Sequence, residues 1–408
     1  RIQPDLNWEN PEVRQEIFDM MRFWFDKGID GFRMDSISLI AKDPSFPLID
    51  SKKYPDIFSF YAKEPRLHLY LHEMNRQVLS KYDCMSVGEG SAVMVDDVAK
   101  FVDPAREELN MLYHFDAARI RNTTLPDNPE SGIDYSLIAL KKMFTEWDKA
   151  VDKGWPSIYL GNHDQPRMVS RFGSDKDEFR ALSAKMLITF LLTMRGTPYW
   201  FAGDEIGMRN IRFDRIEDYN DIDTINRYKK AKAEGKDPQA VLDEQKETGR
   251  DNARTPFQWD RSPEAGFTAG TPWLKVNPDY TWINVADEEK DPTSILNYFK
   301  KVVSFRKENP SLIYGSYHLL DAENPQSYTF LRKTGADTYL IMLNFSPKAA
   351  ISTPGIDMSN AHVLLDNYGD RSHMAPQKDI TLRPFEAIVF QLNHPVYESF
   401  IDSLDLLE

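Results

Sequence analysis

Three short runs of the chain pass through apolar residues and stop at a carboxylate: Gly31-Phe32-Arg33-Met34-Asp35, Cys84-Met85-Ser86-Val87-Gly88-Glu89 and Ser157-Ile158-Tyr159-Leu160-Gly161-Asn162-His163-Asp164. Alternate residues of a strand share a face, so Gly31, Arg33 and Asp35 point one way while Phe32 and Met34 point the other. One face is charged. A core tolerates such a pair only if it is matched and hydrogen-bonded. Each run has an ordinary reading by itself. Arg-x-Asp makes a structural ion pair, Glu89 could cap a helix or hold a salt bridge, and Asn162-His163-Asp164 could be a turn. Taken together, the three carboxylates fit two chemistries. One is a metal site. The other is cleavage of a glycosidic bond, which in its retaining form needs a nucleophilic carboxylate and an acid/base carboxyl roughly 5 Å apart.

The elements around these runs set where the carboxylates can meet. A helix-like stretch from Pro11 to Phe25, closed by Lys27-Gly28, precedes the first strand. A long Pro-rich loop runs from Ser36 to about Pro65, and Leu67, Leu71, Met74, Val78 and Leu79 then give helical spacing over 67–82. Further strands are read at 84–89, 111–116, 157–164 and 197–205, with helices over 135–151 and 178–195. Strand, loop and helix alternate, and the reactive residues fall at the strands' C-terminal ends. That is the pattern of a parallel α/β barrel. An open doubly wound sheet is the alternative, and the chain lacks the Gly-x-Gly-x-x-Gly turn of its dinucleotide-binding form. A charged helical insert over 222–236 reads as solvated, and the polar, aromatic run Arg250–Asp260 is expected outside the core. A helix over 294–309 ends at Pro310. Strands at 327–332, 338–345, 363–365 and 387–392 then predict a small all-β sandwich. The expected domains are therefore 1–312, catalytic, and 313–408, all-β.

A net charge of -14 argues against nucleic acid and anionic membranes as partners and suits a neutral ligand. The one cysteine, Cys84, excludes an internal disulfide and a cysteine-based metal cluster, and its apolar run predicts a core thiol. No run is long and apolar enough for a membrane helix. His68, His72 and His114 lack metal-ligand spacing, so no metal is expected there, and Asp204 and Glu205 read as structural. The chain opens at Arg1 without a signal peptide, which leaves room for an upstream segment. A cytoplasmic location is expected.

The segments Gly31–Asp35, Val87–Glu89 and Gly161–Asp164 resemble, in the right order, three signature segments of the α-amylase family of glycoside hydrolases. Gln3-Pro4-Asp5-Leu6-Asn7-Trp8 and Arg250–Asp260 narrow the resemblance to the oligo-1,6-glucosidase and α-glucosidase branch. The resemblance implies a (β/α)8 barrel followed by an all-β domain, and a retaining α-glucosidase acting on terminal α-1,4 and/or α-1,6 bonds of short oligosaccharides. Asp35 would be the nucleophile, Glu89 the acid and then base, and Asp164 a carboxylate holding sugar hydroxyls. Arg33 would orient the nucleophile, His163 would bond the same sugar, and Arg254, with Arg167 as a weaker candidate, would line the site mouth. No cofactor is implied. The resemblance also implies that the first three barrel strands and a calcium-type loop precede Gln3, so the chain reads as strands four to eight of a monomer that needs its N-terminal part to close the barrel. Ser36 stands where the branch has valine in α-1,6-acting members and small residues or threonine in α-1,4-acting ones, a lean towards α-1,4. Residues 115–122 lack the arginine-rich motif of sucrose isomerases. The alternatives are a sucrose isomerase, a transglucosylase or a trehalose-6-phosphate hydrolase relative, and then a non-catalytic interaction protein, against which the three retained carboxylates speak.

Overall fold

In the computed structural model, residues 4–50, 52–54, 57–335, 337–371 and 378–392 are described, apart from the side chains of residues 121 and 122. Gln3 of the N-terminal motif and residues 393–408 of the expected all-β domain lie outside them. The chain divides into two units, Arg1–Arg119 with Met143–Ile158, and Ile120–Lys142 with Tyr159–Glu408.

In the first unit, helix Pro11–Asp26 starts where the Asn10 side chain accepts from the Glu12 N–H at 2.9 Å, with Pro11 at the first turn, where its missing donor costs nothing. It stops at Lys27, and Gly28 takes a φ of +95°, as the sequence predicts. Its buried face, Phe18, Met21 and Phe25, reaches β1 (Gly31–Met34) through an edge-on contact of Phe25 with Phe32 at 5.0 Å. Strands β1, β2 (Met85–Glu89) and β3 (Met111–Tyr113) form a parallel sheet in that order, with Arg33 opposite Val87 and Glu89 opposite Tyr113. Parallel pairing brings all three C-terminal ends to one edge. Gly31 is needed at the entry to β1, because a Cβ there would lie 2.0 Å from the Met85 carbonyl oxygen.

Two expectations for this unit are corrected. The helix over 67–82 is instead a helix Arg66–Gln77 and a separate 3-10 turn Leu79–Lys81, because Val78 leaves helical geometry (φ -128°, ψ -70°). The break lets the adjacent Val78 and Leu79 both be buried. Cys84 is half-buried rather than a core thiol, since β2 begins one residue later and the thiol sits at its entry, 3.5 Å from the Leu79 carbonyl.

In the second unit, helix Asp177–Thr193 is buried over most of its circumference and packs with helix Ile295–Glu308, which Ser294 caps by accepting from the Asn297 N–H. Five antiparallel strands follow in the order 361–366, 387–392, 337–344, 327–334, 316–320. A two-stranded sheet of Ala350–Ser352 and Ile380–Leu382 joins their core, where Ile380 and Leu382 pack with Leu331, Leu340, Met342, Ile388 and Phe390. The strands at 316–320, 350–352 and 380–382, and the helix Pro238–Thr248, are not legible in the sequence pattern. Of the runs 157–164 and 197–205, only Ser157–Ile158 and Thr197–Pro198 are extended. The run Arg250–Asp260 is the clearest correction: Asp251, Asn252, Ala253, Thr255 and Gln258 are buried. The first two are matched by backbone, Asp251 accepting from the N–H groups of Asn220 and Asp221 at 2.6 and 2.8 Å and Asn252 from the Arg212 N–H at 3.1 Å, so their burial carries little penalty, whereas Thr255 Oγ1 and Gln258 Oε1 are buried without a partner among the described residues.

Candidate active site

The edge of the parallel sheet in the first unit carries a charged cluster. Asp35 follows β1, Glu89 ends β2 and Tyr113 ends β3. Arg33, on the same face of β1 as Asp35, donates to the Asp35 carboxylate, to Glu89 Oε2 at 3.1 Å and to the Tyr113 hydroxyl, and its guanidinium lies 5.5 Å over the Tyr113 ring. Beyond Asp35 the chain turns at Ser36, whose φ of +45° is in the left-handed region that side chains rarely take. The turn aims the Ser36 N–H at Glu89 Oε2, 2.8 Å away.

The two carboxyls differ in surroundings. The Asp35 side chain is 78% exposed beside the Arg33 cation, whereas that of Glu89 is 8% exposed. Burial pushes the Glu89 carboxyl above its ordinary range, and a hydrogen bond with Asp35 adds to this against the opposing pull of the Ser36 N–H and Arg33. Burial thus makes Glu89 hold its proton more readily than a solvated carboxyl would. Burial, with the Glu89 charge adding, pushes the Tyr113 hydroxyl up to about 12, so it remains a neutral donor.

In the second unit, Asp164 Oδ1 accepts from Arg254 Nη2 at 2.8 Å and lies 3.6 Å from Arg250 Nη1. Arg254 Nε donates to the His163 carbonyl at 2.8 Å, and His163 Nε2 is 3.5 Å from Asp164 Oδ2. The Asn162 side chain accepts from the Asp164 N–H at 2.8 Å and fixes the turn. Asp164, His163 and Arg254 are thus together. Arg167 differs: it is 2% exposed, donates to the carbonyls of Ala202 and Ala253 at 2.7 and 3.1 Å, and sits 3.6 Å from Asp204 Oδ1. Asp204 is buried too, and burial lifts its carboxyl to about 7 despite the Arg167 cation. Sequence reasoning missed Tyr113, because its strand ends in a phenol rather than an acid, and Arg250, although the latter opens a motif that was itself conspicuous. Among the described residues, no three or more His, Cys, Asp or Glu side chains are grouped to hold a metal ion.

The first unit thus carries an Arg-Asp-Glu cluster at the C-terminal edge of a parallel sheet, and the second an Asp-Arg-His group. The family model of the alpha-amylase catalytic domain matches residues 1–315, and the chain belongs to this family of glycoside hydrolases, whose fold is a (β/α)8 barrel. It is 47% identical over 403 residues to an oligo-1,6-glucosidase of Parageobacillus thermoglucosidasius, covering 96% of this chain and 70% of that one. It is 44% identical over 400 residues to the oligo-1,6-glucosidase of Bacillus cereus, with the same coverage. Among solved structures, the isomaltulose synthase SmuA from Protaminobacter rubrum matches with a TM-score of 0.89 and 37% identity, over 96% of this chain and 70% of that one. No helix among the described residues is long and apolar enough to cross a membrane.

Proposed function

We propose that this protein is a retaining α-glucosidase that releases glucose from terminal α-1,4 and α-1,6 bonds of short oligosaccharides. The observation that carries the reading is the Asp35–Glu89 pair, two strand-end carboxyls that accept from the two ends of one guanidinium, that of Arg33, Glu89 at 3.1 Å. A retaining enzyme needs its carboxyls about 5 Å apart, closer than the roughly 6.5–9.5 Å of an inverting one, and a single guanidinium bridging both supports the closer spacing. In the first step, Asp35 attacks the anomeric carbon as Glu89 passes its proton to the departing glycosidic oxygen. In the second, Glu89 takes a proton from water, which attacks the same carbon and frees Asp35. Arg33 holds Asp35 as the charged nucleophile. We assign Asp164, with Arg254, Arg250 and His163, to the hydroxyls of the glucosyl ring. Arg167 is left out of the sugar contacts because it is buried and its two terminal nitrogens donate to the carbonyls of Ala202 and Ala253.

The linkage preference is read from two sides. Relatives named oligo-1,6-glucosidase favour α-1,6, whereas the small polar Ser36 in a left-handed turn leans towards α-1,4. The proposal includes a cytoplasmic setting, in which a half-buried thiol such as Cys84 stays reduced. The test is product analysis on maltose, isomaltose, sucrose and trehalose 6-phosphate, with Asp35→Ala as control. Release of α-glucose as the first anomer, lost in the control, is the expected result. Conversion of sucrose mainly into a new disaccharide would replace hydrolysis by isomerisation, and inactivity on all four would overturn the reading.

A further inference from the structure

Three tryptophans of the second unit are conspicuously open to solvent, and two have evident local occupations. Trp282 lies between the guanidinium groups of Arg180 and Arg209, at 5.0 and 5.1 Å, and Trp259 rests against Phe257 with ring centroids 4.6 Å apart. Trp273 is the most exposed at 59%, and it is also held from several sides. Its indole N–H donates to the Arg254 carbonyl at 2.8 Å, and Phe267 meets it edge-on at 5.0 Å and 88°. Its own carbonyl accepts from the Asn220 side chain at 3.2 Å, and the Asn220 N–H is tied to the buried Asp251.

An exposed aromatic fixed in this way has little conformational freedom left to lose on binding, which makes it a cheap contact surface. Because its N–H is already consumed, the ring offers only its π face. A ligand that suits such a face is flat and carries C–H groups on one side with hydroxyls around its rim, as a pyranose ring does. The carbonyl that holds the indole belongs to Arg254, whose other end pairs with Asp164, so the platform and that carboxylate are separated by one arginine side chain. We propose that Trp273 is a stacking platform for the sugar next to the glucosyl unit, on the leaving-group side, and thereby favours oligosaccharides over substrates with no second sugar. The proposal rests on the α-glucosidase reading, in which the terminal glucosyl ring occupies Asp164.

The experiment compares wild type, Trp273→Ala and Trp273→Phe on isomaltotriose and on α-glucosyl fluoride, which lacks a leaving sugar. For Trp273→Ala the ratio of kcat/KM on isomaltotriose to that on the fluoride falls about 5- to 10-fold, through KM, and Trp273→Phe restores most of it. An equal loss on both substrates would mean that Trp273 only props Arg254, and an unaltered ratio would remove it from binding; either overturns the proposal. Should the wild type cleave neither substrate, the α-glucosidase reading fails separately. The platform is then judged by tryptophan fluorescence with isomaltotriose as probe: a change present in wild type and absent in Trp273→Phe supports it, and no change in wild type overturns it.

Discussion

Replacing Arg167 by methionine removes a buried guanidinium that joins three segments of the second unit. Its loss leaves the carbonyls of Ala202 and Ala253 without this donor, at about 1–3 kcal/mol for each buried group left unmatched. Asp204 loses its cation as well, and breaking a buried ion pair from one side costs about 3–5 kcal/mol when the remaining charge must stay. Here it need not stay. Burial already holds the Asp204 carboxyl at about 7 with Arg167 in place, and without the cation the value moves higher. Below that value the side chain is protonated and adds little, so near pH 6 the deficit is that of the two carbonyls, about 2–6 kcal/mol. The sign at higher pH follows from linkage. A carboxyl whose folded pKa lies above its unfolded one contributes stability that is complete below the unfolded value and is lost as pH rises through the folded one. From pH 7 to 8 the wild-type group passes from about half to mostly ionised, whereas the variant's still holds its proton, so the variant's deficit grows with pH, by up to about 1.4 kcal/mol per pH unit once the wild-type group is fully ionised. Denaturant midpoints at pH 6 and pH 8, with a common m-value, measure both quantities. A deficit under about 1 kcal/mol, or one equal at the two pH values, would refute the reasoning. Because Arg167 grips the carbonyl of Ala253, next to Arg254, a rise in KM should accompany the loss.

Glu89→Gln keeps the shape of the side chain without its proton, so turnover of isomaltose should fall by about 10²- to 10⁴-fold. α-Glucosyl fluoride, whose leaving group needs little acid help, should lose far less in the first step, and equal losses on the two substrates would remove Glu89 from the acid role. Arg33→Met withdraws the cation that opposes the upward shift of Glu89; kcat/KM should drop while the alkaline limb of its pH profile moves up, and an unmoved limb would mean that the pair titrates independently of Arg33. Gly31→Ala would drive a Cβ to 2.0 Å from the Met85 carbonyl oxygen, which is backbone and cannot rotate away. The strand pair must part locally, so stability should fall by about 1–3 kcal/mol in chemical denaturation, and a neutral result would show that the entry to β1 is looser than this contact implies.

Legibility followed the range of the interactions. The run Gly31–Asp35 carries its own instructions: the alternation buries Met34 and turns Arg33 and Asp35 to one side, and Lys27-Gly28 stops the preceding helix where a strand must start. Asp35, Glu89, Asp164, Arg33, His163 and Arg254 were all legible as candidates because each stands at the end of an apolar run or in a motif of recognisable type. The short strands at 316–320, 350–352 and 380–382 were not, since a few residues cannot display a period, and their pairing depends on partners distant in the chain. The run Arg250–Asp260 misled for a related reason. Polarity implies exposure only when no partner waits inside, and Asp251 and Asn252 find backbone groups from loops that no local pattern announces.

The sequence by itself therefore determined the family, the barrel class and the candidate residues of the proposed chemistry, because periodicity and motif spacing are local properties of the chain. Only the tertiary structure decided how those residues differ from one another. Glu89 and Asp35 are both strand-end acids in the sequence, and it is the burial of one and the exposure of the other, with Arg33 between them, on which the proposed division into proton donor and nucleophile rests. Arg254 and Arg167 are both arginines of conspicuous motifs. One reaches a half-buried carboxylate and carries an exposed indole on its carbonyl, while the other is walled in by carbonyls. Those differences arise from desolvation and from neighbours supplied by distant segments, and both come into being only when the chain folds.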